Sequence, residues 1–190
     1  MKKYFLLFIA ILVFVSVQVV AADEYDFRKA RWGMSQEEVM RSESGKPVGR
    51  TSEVLKYKGS LDNKDCSIFY KFQNNRLMTG LYAFDIWHTN QNNYILDYGR
   101  LKELLIKKYG TPLDDEVIWS NDLFKNDHQL YGMAVAMGHL AFVARWETPT
   151  TEVGLMLTGE NYEITLAIIY ESKDLKEDPE KKDKEVLDQL

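Results

Sequence analysis

Cys66-Ser67-Ile68-Phe69-Tyr70-Lys71-Phe72 alternates along its length, and Asn74-Asn75 follows it with two residues that tolerate a tight turn. Leu77 to Trp87 then returns with the same period of two. A run that alternates, turns and alternates back predicts an antiparallel hairpin, because successive side chains of a strand point to opposite faces. On the return strand Leu77, Thr79, Leu81 and Ala83 alternate with Met78, Gly80, Tyr82 and Phe84, so both faces are partly apolar. One face covers a core, and the other is shielded or adhesive.

Other segments extend the pattern. Ser35 followed three residues later by Glu38 is a capping box, with Met34 and Val39 placed as a hydrophobic staple across it. Glu37 and Glu38 lie in the first turn, where the helix dipole favours negative charge. The helix runs from Gln36 to about Glu43 and is stopped by Gly45 and Pro47. Leu55 and Tyr57 mark a strand over Glu53 to Lys58. Asn92-Asn93 opens a second helix with Tyr94, Tyr98, Leu101, Leu104 and Leu105 at helical spacing, ended by Gly110 and Pro112.

Glu116 to Ser120 reads as a short strand, preceded by a solvated acidic turn at Asp114-Asp115-Glu116. Asp127 to Met137 fits either period, and its cap at Asn126 or Asp127 and stop at Gly138 favour helix. Leu140, Phe142, Ala144 and Trp146 share one strand face, with His139, Arg145 and Glu147 opposite. Thr150 to Thr158 and Tyr162 to Glu171 form a closing hairpin around Gly159-Glu160-Asn161.

The expected fold is therefore α+β, with helices packed on one face of a mostly antiparallel sheet. The order helix–strands–helix–strands repeats coarsely, a weak tandem duplication of a helix–hairpin unit with halves at 27–90 and 91–172.

The ends differ in composition. Lys2 and Lys3, an apolar run from Phe5 to Val15, and Val20-Ala21-Ala22 before Asp23 have the order of a secretory signal peptide cleaved after Ala22. The run is shorter than the ~20 residues a bilayer span needs. A periplasmic or secreted, soluble protein without stable membrane insertion is expected. Removal of residues 1–22 leaves 168 of 190 residues, a length suited to one domain over 23–172. Lys173 to Leu190 is dense in both charges and reads as a tail that is disordered or a loose helix. Loss of Lys2 and Lys3 takes the net charge from −5 to −7, which disfavours nucleic acid as a partner. Cys66 is the single cysteine, so no internal disulfide can form, and its place beside Ile68 and Tyr70 marks it as buried.

Gly33-Met34-Ser35-Gln36-Glu37-Glu38-Val39, followed by a hairpin, resembles the β-lactamase-inhibitor-protein-like superfamily. That superfamily includes the small outer-membrane barrel-assembly lipoproteins. Arg31-Trp32-Gly33-Met34-Ser35 near the processed N-terminus also looks like a set of secreted bacterial proteins. The likeness covers Phe27 to Trp87 best and the second half by order of elements. The lipidation cysteine of the lipoprotein branch is missing here, so outer-membrane anchoring does not carry over. The resemblance implies an α+β binding module without known catalysis.

Reaction motifs are sparse. No nucleophile elbow, phosphate-binding loop or dinucleotide fingerprint occurs, and His88, His128 and His139 lack zinc-ligand spacing. No catalytic residue, metal or cofactor is assigned. Aromatic residues carry the functional expectation instead, since Trp and Tyr bury large area while keeping a polar tip. Trp87, Tyr82, Trp32 and Trp119 are the interface candidates. Trp87 and Tyr82 occupy opposite pleats, so only one of them can face the core. The leading expectation is a non-catalytic module that binds an envelope protein or peptide through one sheet face. The alternative is a small-ligand or hydrolytic cleft between the halves, where His139, Arg145 or Glu147 would converge with another polar group. A module that dimerises edge to edge is a third possibility.

Overall fold

Three two-residue turns fix the strand pairings before any packing is considered. Asp62-Asn63, Asn74-Asn75 and Asn161-Tyr162 all have positive φ at both positions, the conformation that joins antiparallel strands without splaying them. The computed structural model describes residues 25–175. Its strands are β1 (Gly49–Arg50), β2 (Val54–Leu61), β3 (Lys64–Gln73), β4 (Arg76–Phe84), β5 (Asp114–Trp119), β6 (Leu140–Glu147), β7 (Thr151–Glu160) and β8 (Glu163–Ser172). They form one eight-stranded antiparallel sheet in the order β1-β2-β3-β4-β8-β7-β6-β5.

The helices are α1 (Gln36–Ser42), α2 (Asn92–Tyr109) and α3 (Tyr131–Ala136), the last entered through a 3₁₀ turn at His128–Leu130. The first half of the chain is α1 followed by the meander β1–β4, the second is α2 followed by β5, α3 and the meander β6–β8, and β4 and β8 join the two at the middle of the sheet. This is the α+β architecture expected; the helix-then-strands order recurs in the second half with α3 inserted between β5 and β6.

The capping box forms as the sequence predicts. Ser35 Oγ accepts from the Glu38 amide, and Glu38 accepts from the Ser35 amide at 2.8 Å. The Ser35 amide and hydroxyl, both donating to the Glu38 carboxylate, hold it below the usual carboxylate range. α2 buries Tyr94, Tyr98, Leu101 and Leu105 and ends at Gly110, whose φ of +84° suits glycine. The segment that fits either period is helical, with Asp127 accepting from the Gln129 amide and Gly138 ending it at φ +74°.

All of these helices lie on one side of the sheet. The core there combines Val39, Tyr98, Leu101 and Val135 with strand residues Leu55, Ile68, Tyr70, Leu77, Tyr82, Ala144, Trp146, Val153, Leu155 and Ile168. Cys66 is buried among them. The seam between the halves is closed by the segment before α1. Phe27 lies on Gly80, where an added Cβ would meet its ring at 2.2 Å, and its ring sits 5.1–5.2 Å from those of Tyr70, Tyr82 and Tyr170. Asp26 accepts from the Thr150 hydroxyl at 2.6 Å and the Trp32 amide at 2.9 Å, clasping the N-terminal segment to the far hairpin.

Two expectations are corrected. Asp114, Asp115 and Glu116 are strand residues of β5 rather than a solvated turn, because Arg145 binds Asp114 at 2.6 Å and Lys102 binds Asp115 at 2.7 Å. β4 ends at Phe84, so Trp87 lies in the connection to α2 rather than in the strand. The signal peptide expected at 1–22 falls outside the described residues, as does most of the 173–190 tail. Of that tail, Lys173 and Leu175 are still tied down: the Lys173 amide bonds the Thr150 carbonyl, and the Leu175 amide bonds Ser172 Oγ.

Candidate functional site

The face of the sheet turned away from the helices is built by the residues that alternate with the core. Its middle row follows the register across the strands: Lys56 (β2), Phe69 (β3), Leu81 (β4), Ile169 (β8), Gly154 (β7), Arg145 (β6) and Asp114 (β5). A second row beside it reads Lys58, Ser67, Ala83, Ala167, Met156, Val143 and Glu116. A third, toward the other end of the strands, reads Val54, Lys71, Thr79, Glu171, Glu152 and Glu147. Phe69, Leu81, Ile169, Met156 and Val143 are half-buried and pack against none of the core. They form an apolar strip across β3, β4, β8, β7 and β6, with lysines at one margin and carboxylates at the other.

Local chemistry tunes those margins. Lys58 binds Asp85 at 2.7 Å and Ser67 Oγ at 3.0 Å. Burial works against the Asp85 charge, yet the bonds from Lys58 and Ser67 outweigh it and hold the carboxyl below its ordinary range. The Lys56 ammonium lies 5.1 Å from the centre of the Phe69 ring, so the basic margin is anchored on the apolar strip itself. Lys173 binds Glu147 at 3.1 Å at the opposite margin.

The aromatic candidates separate. Trp87 is 79% exposed. Tyr82 is 8% exposed and belongs to the core, since its pleat faces the helices and Phe27 stacks edge-on against it. Trp32 is half-buried, its indole N–H donating to Thr151 Oγ1 at 2.9 Å. Trp119 is half-buried and packs edge-on against Tyr131. No single surface gathers these four residues. The strip is marked in the sequence by a second apolar alternation, Phe69 with Leu81 and Ala83, running out of phase with the core set.

The cleft alternative also has a physical counterpart, on the helix side. Tyr25, Asp26, Arg28, Tyr82, Lys108 and Tyr170 line a cleft of about 350 Å³ at the seam of the halves. Its Arg28 and Asp26 are engaged within the protein. Arg28 forms a two-pronged bond to Glu43 at 2.8 and 3.0 Å, and Asp26 is held by Thr150 and Trp32. Tyr70 also donates to Glu43. Burial opposes the Glu43 charge, but Arg28 and Tyr70 prevail and lower its pKa. The Tyr70 hydroxyl is pushed far up by burial and by its bond to Glu43.

His139, Arg145 and Glu147 do not converge there. His139 stacks on Phe124 with its Nδ1 buried and unpartnered, while Arg145 and Glu147 sit on the helix-free face bound to Asp114 and Lys173. His88 is drawn instead to Asp97 of α2, at 2.6 Å. Among the described residues no cluster of three or more His, Cys, Asp or Glu side chains could hold a metal ion. Comparison with known proteins finds no family model, no curated protein and no solved structure that matches this chain.

Proposed function

We propose that the protein is a non-catalytic binding module that takes another protein or peptide on the helix-free face of its sheet, in the periplasm or outside the cell. The observation that carries this reading is the apolar strip of Phe69, Leu81, Ile169, Met156 and Val143, which packs against none of the core. Contiguous apolar side chains rimmed by charge are what protein interfaces present, with a dry centre for affinity and a polar margin for register. The superfamily resemblance supports a binding role, and the leader-like residues 1–22 support export. Among the described residues no helix is long and apolar enough to cross a membrane.

The test is site-specific photo-cross-linking in cells that export the chain. A photo-activatable phenylalanine analogue replaces Met156 in one strain and Trp87 in another. A discrete adduct from position 156 that disappears with Leu81→Arg supports the reading. Adducts from position 87 alone, or adducts from 156 indifferent to Leu81→Arg, would overturn it.

A further inference from the structure

The two margins of the helix-free face carry opposite charge, in an order that can match itself. Across the seven long strands, β8 is the middle one, with β4, β3 and β2 on one side and β7, β6 and β5 on the other. On the first side Lys56, Lys58 and Lys71 face outward with Asp65 and Asp85; on the other stand Asp114, Glu116, Glu147 and Glu152 with Arg145 and Lys173. We infer that the occupant of this face is a second copy of the chain, stacked sheet to sheet about a two-fold axis running along β8. This inference rests on the binding role proposed for that face.

A two-fold rotation about β8 exchanges the margins while keeping each row in place. β2 then lies over β5, β3 over β6 and β4 over β7 of the other copy. In the register of this sheet, Lys56 faces Asp114, Lys58 faces Glu116 and Lys71 faces Glu147. Phe69 meets Arg145, a favourable aromatic–guanidinium pairing. Leu81 meets the open space above Gly154, where an added Cβ would touch nothing within 4 Å. Ala83 meets Met156, and Ile169 and Ala167 meet their own counterparts on the axis. Such self-complementarity is what a two-fold interface demands. An axis perpendicular to the strands would set lysine over lysine.

Glu171 meets its own counterpart on the axis, an unfavourable pair at one end of the strip. The twist between stacked sheets, about 30°, offsets the outer strands by roughly one row. Each row carries lysine on the β2–β3 side and carboxylate on the β6–β5 side, so the pairing of opposite margins survives that offset. Six strand spacings by seven residues amount to about 600 Å² per copy, or about 1,200 Å² in total. That reaches the size of specific protein interfaces.

Sedimentation equilibrium of the purified exported chain tests the inference with two charge-reversed variants, Lys56→Glu/Lys58→Glu and Asp114→Lys/Glu116→Lys. The wild type sediments as a dimer at about 0.1 mM. Each variant alone weakens association at least roughly ten-fold, since like charges then oppose each other at both margins. An equal mixture of the two variants restores a dimer. As a second readout, Ile169→Cys on the axis links to itself through a bismaleimide of about 10 Å, the spacing of stacked sheets, while wild-type Cys66 stays buried. A monomeric wild type, or a mixture no better than its components, would overturn the inference. If the wild type is monomeric yet position 156 still cross-links to another protein, the binding face stands and only its occupant changes. If neither association nor cross-linking occurs, both readings fall.

Discussion

Tyr70, Tyr82 and Tyr170 crowd around Phe27 on one side of the sheet, while Phe69, Leu81 and Ile169, each one residue away on the same three strands, lie side by side on the other. The first set is sealed by the N-terminal segment and closes the seam between the halves. The second packs against none of the core. Adjacent residues of similar apolarity thus serve different purposes, since the fold needs only one covered face to bury its core. Apolar side chains beyond that requirement are available for association.

The largest expected effect lies on the covered side. Phe27→Ala removes the ring held over Gly80 and costs about 3–5 kcal/mol, whereas Phe69→Ala costs about 1 kcal/mol or less, since it loses only cross-strand contacts. Denaturant titration of both variants checks the pair, and equal losses would break the distinction between the faces. Next comes Glu43→Gln, which leaves Arg28 and Tyr70 without their carboxylate and costs about 2 kcal/mol.

That cost depends on pH. The folded pKa of Glu43 lies below its ordinary 4.5, so its stabilisation is complete above that value and fades as the pH falls through the folded pKa. Melting temperatures of wild type and variant should therefore converge in acid; a constant gap would show that the Glu43 charge is not the stabilising feature. Ser35→Ala, through loss of the α1 cap, costs about 1 kcal/mol, read as a fall in melting temperature. Smallest are Met156→Lys and Trp87→Ala, each within about 0.5 kcal/mol of wild type. Met156→Lys alone of these two weakens association, and loss of binding in Trp87→Ala instead would move the interface to the loop before α2.

Much of the local structure is legible from neighbouring residues. The Ser35–Glu38 box announces α1 because both partners of the cap lie within one turn. Asn74-Asn75 announces its hairpin because asparagine tolerates positive φ at little cost. The ambiguous segment before Gly138 resolves correctly from its cap and stop. Long-range partners are less legible. Asp114 and Asp115 read as a solvated turn, since Arg145 and Lys102 come from a distant strand and from α2. His88 gives no hint that Asp97 will meet it across the start of α2.

The candidate site shows the same division. Of the aromatics chosen for their interface chemistry, Trp87 is exposed and Tyr82 is buried, a difference that spacing along one strand cannot supply because β4 ends at Phe84. The sequence by itself determines most of the strands, helices and turns, because caps, turn residues and periodicity act over a few positions. Only the tertiary structure decides which of two apolar alternations becomes the core. That choice depends on β4 meeting β8 and on Phe27 reaching Gly80, partners separated by tens of residues that no local pattern can specify.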